Sequence, residues 1–191
     1  MYKLFTISTL AAAMLFFGCS KTTAFDFFST NTYYEKAVSN LQKVSLMSNL
    51  ETKALLHVVY LNNVDPKSYN DGEYFFVALH VIQEPQDASK KGLNNPGYTL
   101  KMQAKNVQEP KVFFEANETN ATQSTQAYVY QEPLEIKELE EGDKLRMSMP
   151  IKSRWNTYYL VKYKSSNDAK LVLLFENDQY GKAPLNFAKA Q

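Results

Sequence analysis

The sequence predicts a mainly β protein, an antiparallel β-sandwich preceded by one amphipathic helix. Three observations carry that expectation. From residue 53 onward apolar residues recur with a period of two, in eight or nine short stretches divided by turn residues. The chain holds 12 Phe, 13 Tyr and one Trp against only 6 Gly, a composition suited to a pleated, half-buried surface. Its single cysteine leaves no pair for a disulfide, so the domain stands on packing alone. Residues 19–191 are enough for one domain with a sizeable core.

The helix is expected from Tyr33 to Asn49. Thr32 and Glu35 form a Thr-x-x-Glu capping box, and Tyr34, Ala37, Val38, Leu41 and Val44 share one face at helical spacing. Ala54–Leu61 and Glu73–Ile82 follow as strands, apolar on both faces and therefore central in a sheet. Asn70-Asp71-Gly72 between them is a strong turn signal. Tyr98–Lys105 alternates, with Tyr98, Leu100, Met102 and Ala104 pointing one way and Thr99, Lys101, Gln103 and Lys105 the other. Lys111–Ala116 reads as a short strand stopped upstream by Pro110, and 117–126 as an exposed loop. Ala127–Gln131 is a brief strand, and Leu134 and Ile136 form a half-buried piece. Lys144–Ile151 alternates with Leu145, Met147, Met149 and Ile151 inward. Thr157–Lys164 and Lys170–Glu176 form a hairpin around Ser165–Asp168, and Ala183–Ala188 closes the sheet after Tyr180-Gly181.

The stretch Leu139-Glu140-Glu141-Gly142-Asp143-Lys144-Leu145 loosely resembles the Leu-x-Pro-Gly turn that precedes a core strand in fibronectin-type and immunoglobulin-like domains. The resemblance implies a sandwich of immunoglobulin-like or similar kind.

At the N-terminus Lys3 precedes a charge-free stretch, Leu4–Phe17, of 14 residues, short of the roughly 20 that a bilayer span needs. Gly18, Cys19 and a polar start at Ser20 complete an export signal. This arrangement resembles the signal of bacterial lipoproteins, whose lipobox runs Leu, then Ala or Ser, then Gly or Ala, then Cys. Gly18 and Cys19 match it; Phe16 and Phe17 depart. The resemblance implies that residues 1–18 are a removed signal peptide and that Cys19 carries the lipid. It also implies that 19–31 are a lipidated tether; by length, 32–191 are expected to form a single helix-plus-β-sandwich domain. A serine rather than an aspartate at position 20 implies the outer membrane, with the domain on its periplasmic or surface face. Ordinary secretory cleavage after Ala24, where Thr22 and Ala24 are both small, and an uncleaved anchor are the alternatives.

Lys3 is the only charged residue of the first 18, so the remainder sets 20 cationic against 20 acidic side chains. Nothing in that balance draws the chain to nucleic acid. His57 and His80 lie on adjacent expected strands, but no further ligand is spaced to hold zinc with them. Residues 65–72 fail the calcium-loop spacing, and Glu138 and Glu140 sit in a charged surface turn. Gly-x-Ser-x-Gly, His-Glu-x-x-His and glycine-rich phosphate loops are absent from the sequence. The expectation is therefore no catalytic residue, no metal and no cofactor, and a protein that is not an enzyme.

Two features stand above this background. The overlapping windows Glu115–Thr119 and Glu118–Thr122 are similar to the acidic-x-Asn-x-Ser/Thr sequon of some bacterial N-glycosylation systems, which marks Asn117 and Asn120 as candidate glycosylation sites. The connection 152–157 holds the only Trp, with Arg154 beside it and Tyr158 just after. Trp, Arg and Tyr concentrate binding energy in protein contacts, so Arg154, Trp155 and Tyr158 form a candidate binding surface. The plainer expectation is that Trp155 tucks over the end of the sandwich and plugs the core.

Together these readings predict a cell-envelope lipoprotein moored to the membrane through Cys19, a non-enzymatic binding or assembly module for another envelope protein. The alternative is a periplasmic carrier whose β-layers enclose a lipid or other apolar ligand, although the lipocalin Gly-x-Trp start is absent. A large internal apolar cavity would mark the carrier; a solid core with one exposed aromatic patch would mark the assembly module.

Overall fold

The computed structural model describes residues 32–83, 85, 87, 90–104 and 129–190. Cys19, Asn117 and Asn120, the strand expected at 111–116 and the loop at 117–126 lie outside the described residues. Within them the backbone forms two antiparallel sheets. The five-stranded sheet runs, in spatial order, β1 (Leu41–Ser48), β2 (Glu51–Tyr60), β3 (Glu73–Val81), β7 (Thr157–Tyr163) and β6 (Glu135–Glu138). The four-stranded sheet runs β5 (Val129–Gln131), β4 (Tyr98–Ala104), β8 (Lys170–Asn177) and β9 (Gly181–Ala188). Between β3 and β4, β5 and β6, and β7 and β8 the chain passes from one sheet to the other.

The inner faces meet in one apolar core. Leu56, Val58, Phe75, Val77, Tyr159 and Val161 from the larger sheet pack with Leu100, Met102, Leu173, Phe175 and Leu185 from the smaller. Phe75 centres an aromatic group, its ring 5.2 Å from Tyr60, 5.3 Å from Phe187 and 5.8 Å from Tyr163, spacings at which ring quadrupoles attract. The Tyr163 hydroxyl donates to the Leu100 carbonyl at 2.7 Å, one hydrogen bond that joins the sheets. Gly92, in a 3-10 turn (Gly92–Asn94), has φ +55°, and a Cβ there would overlap the Tyr159 hydroxyl. Only glycine fits both constraints.

The larger sheet is covered on its outer face as well. Val59, Phe76, Ala78 and Tyr158 pack there under α1 (Thr32–Ser39), α2 (Leu61–Val64) and α3 (Lys144–Ser148), which supply Ala37, Leu61, Val64 and the half-buried Leu145. β3 is consequently buried on both sides, as its uninterrupted apolar run requires. β4 keeps Leu100 and Met102 in the core with Lys101 and Gln103 on the open face of the smaller sheet.

Four expectations are corrected. The helix expected to reach Asn49 ends at Ser39, and Leu41–Ser48 is a strand. Ser39 Oγ donates to the Glu35 carbonyl and Asn40 Nδ2 to the Lys36 carbonyl, both at 2.9 Å. These side chains take up the last helical acceptors, and all eight following residues then pair with β2. Lys144–Ile151 is not a strand: 144–148 is helical, so the turn-like stretch at Leu139–Leu145 precedes no core strand. The hairpin expected around Ser165–Asp168 is a passage between sheets, because β7 pairs with β3 and β6 while β8 pairs with β4 and β9. Leu134 and Ile136, expected half-buried, are 66% and 41% exposed on an edge strand and its approach.

Candidate functional site

β7 positions the most distinctive surface of the molecule. Its alternation sends Tyr159, Val161 and Tyr163 into the inter-sheet core and Tyr158 to the outer layer. Tyr158 is 1% exposed, its ring 5.8 Å from Phe76 and capped by the Arg146 guanidinium at 4.3 Å. Its hydroxyl accepts from the Ser153 N–H at 2.7 Å and donates to the Ser153 carbonyl at 2.8 Å. Two bonds to one residue fix the segment that leads into β7. Ser153 Oγ accepts from the Trp155 N–H at 3.2 Å. His80 Nδ1, on β3, donates to the Trp155 carbonyl at 2.9 Å, the direction a carbonyl demands.

The backbone around Trp155 is thus held while its indole stands 65% exposed, with the Arg154 guanidinium 4.8 Å over the ring. Trp155 does not plug the core. It precedes the strand by two residues, and Tyr158, on the strand itself, fills the layer instead.

Between α3 and this segment lies an open groove of about 550 Å³, lined by the apolar Met147 and Ile151, the cations Arg146, Lys152 and Arg154, and Glu141, with the buried Tyr158 beneath. Arg146 donates to the Leu139 carbonyl at 3.4 Å and lies 3.9 Å from the Glu141 carboxylate, so its fork is pre-aimed. Three cations face one acid beside apolar surface. Guanidinium forks bind carboxylate and phosphate groups with two parallel hydrogen bonds, and the flanking Met147 is 55% exposed. Of the three residues expected to form a binding surface, Arg154 lines this groove and Trp155 is its exposed neighbour in the chain, whereas Tyr158 is buried beneath Arg146 and supports the surface instead of forming it. Arg146 and Ile151 join them only because 144–148 is helical; the sequence signal was the recurrence of cations at 144, 146, 152 and 154.

A second cleft, of about 570 Å³, lies at the far end of the larger sheet. Its centre is Glu73, 3% exposed. The Glu73 carboxylate accepts from the Tyr60 hydroxyl at 2.6 Å, the Ser166 N–H at 2.8 Å and Lys189 Nζ at 2.6 Å, and Lys189 also donates to the Ser166 carbonyl. Every contact of this carboxylate ties one part of the chain to another, which makes it a structural lock. Its position at the strand start, in phase with Phe75 and Val77, was the available signal.

His57 and His80 share the outer face of the larger sheet. His57 is opposite Ala78 and His80 opposite Leu55, so they are diagonal neighbours. Burial holds the His57 ring below its ordinary pKa, and Lys43 across the β1–β2 ladder adds to the effect. Its Nδ1 is buried without a hydrogen-bond partner. Among the described residues no three His, Cys, Asp or Glu side chains converge to hold a metal ion, and no helix is long and apolar enough to cross a membrane. No family model, curated protein or solved structure matches the chain.

Proposed function

We propose that the protein is a cell-envelope lipoprotein, held at the outer membrane by lipid on Cys19, whose sandwich serves as a non-enzymatic binding or assembly module for another envelope protein. The observation that carries the reading is the groove of Arg146, Lys152 and Arg154 with Met147 and Ile151, beside a Trp155 whose backbone is held while its ring is exposed. An acidic segment of the partner fits it, with carboxylates on the guanidinium forks and apolar side chains against Met147 and Ile151. Among the described residues, the three passages between layers support an immunoglobulin-like or similar Greek-key frame. The space between the sheets is taken by Phe75, Tyr163, Phe175 and Phe187, which favours the module over the carrier of an apolar ligand.

Photocrosslinking from position 152 in cells tests the reading. The expected outcome is one dominant envelope partner, lost by more than about tenfold in Arg146→Glu/Arg154→Glu, as reversed charges at a recognition site demand. Metabolic palmitate is expected on the wild type and absent from Cys19→Ala. An unchanged crosslink after charge reversal, or equal palmitate in both proteins, sinks the corresponding half of the proposal.

A further inference from the structure

The β1–β2 hairpin closes through Asn49 and Leu50, at φ 54° and 66°. Two left-handed residues between strands that pair from Ser48 to Glu51 are the signature of a type I′ turn, whose second central position suits glycine. Here that position holds a leucine, and it is 96% exposed. The side chain neither packs nor suits its backbone. Met47, 52% exposed, precedes it on β1. Ile82, 51% exposed, lies one strand over, its amide donating to the Lys53 carbonyl at 3.0 Å. At this end of the sheet Lys53 Nζ lies 2.6 Å from the Glu51 carboxylate.

We propose that this end of the larger sheet, Met47, Leu50 and Ile82, rests in the headgroup–acyl boundary of the bilayer that anchors the chain. The inference rests on the lipid proposed for Cys19. Aliphatic side chains gain by leaving water at that depth, and the Lys53–Glu51 pair leaves no uncompensated charge beside them. A patch of three residues is small, but a tethered body meets the membrane at high effective concentration, so a weak contact suffices to orient it. The leash is long enough. The 12 residues between Cys19 and Thr32 can span at most about 40 Å. The 10-residue β2 measures roughly 33 Å, so either end of the sheet is within reach of the bilayer.

The test uses the acylated full-length protein carrying Leu50→Cys, in which the new thiol is the only free one because Cys19 is blocked and the sequence has no other cysteine. It is labelled with an environment-sensitive nitrobenzoxadiazole and reconstituted in phosphatidylethanolamine–phosphatidylglycerol vesicles. Asn167→Cys, exposed between β7 and β8 at the opposite end, is labelled in parallel. Emission from position 50 is expected to rise about twofold or more as the dye leaves water, and to be quenched by lipids with spin-labelled acyl chains. Position 167 is expected to stay unchanged. Adding Met47→Asp and Ile82→Asp to the labelled protein should abolish the gain. The proposal is overturned by a gain at neither position, an equal gain at both, or a gain that survives the two aspartates. Protein that does not float with the vesicles defeats the anchor itself and the inference with it; protein that floats with position 50 in water defeats the inference alone.

Discussion

Leu50 holds φ at 66° with its side chain in water, so its conformational cost is not offset by packing. An L-residue in the left-handed region costs roughly 1–2 kcal/mol, and glycine returns part of that through its freer unfolded state. Leu50→Gly is therefore expected to raise stability by about 0.5–1 kcal/mol, or roughly 1–4 °C in Tm for a domain of this size. A lower Tm would contradict the turn assignment. His57 makes the opposite kind of statement. Its ring sits below the ordinary value of 6.5 because burial disfavours the cation. As pH falls through 6.5 the unfolded ring takes up a proton before the folded one does, so stability declines from about pH 7 toward pH 5. In His57→Leu that part of the decline is expected to be missing, as measured by Tm at the two pH values; the same drop in both proteins would refute it.

At the scale of elements, what was legible was what local pattern alone decides. β3 reads as central from Glu73-Tyr74-Phe75-Phe76-Val77, because only a strand covered on both faces tolerates such a run. β4 reads from strict alternation, and the β8–β9 hairpin from the turn ending at Gly181, φ +87°. The failures share one cause: a strand has two edges, and sequence does not show which are taken. β7 is flanked by β3 and β6, so 144–151 found no free edge there despite its alternation. Residues 144–148 coil onto the outer face instead, where Arg146 caps Tyr158. For the same reason β8 could not pair with β7 and crossed to the other sheet. In 41–48, Leu41 and Val44 fit a helical face as well as a strand, and pairing with β2 decided between them. The candidate site was half legible accordingly. Arg154, Trp155 and Tyr158 are close in sequence, whereas Arg146 reaches them only through the fold.

For the molecule as a whole, the Glu73 lock joins its distant parts. Lys189 is separated from Glu73 by 116 positions and Asn63 from Ala188 by 125, with bonds of 2.6 and 2.8 Å. Removing one partner of a buried pair leaves the other charge without compensation. Lys189→Met is expected to cost about 3 kcal/mol, read from urea unfolding, and Glu73→Leu/Lys189→Met to recover much of that loss. Failure of the double variant to recover any would show that the pair is not the source of the loss.

The distance along the chain between the two halves of that lock has a kinetic consequence. Contacts so far apart in sequence carry a large loop-closure cost, and a polypeptide emerging N-terminus first presents its carboxylate while the ammonium partner is still to come. β9 and the two tail bonds arrive together at the close. Until they do, the Glu73 carboxylate lacks its ammonium partner.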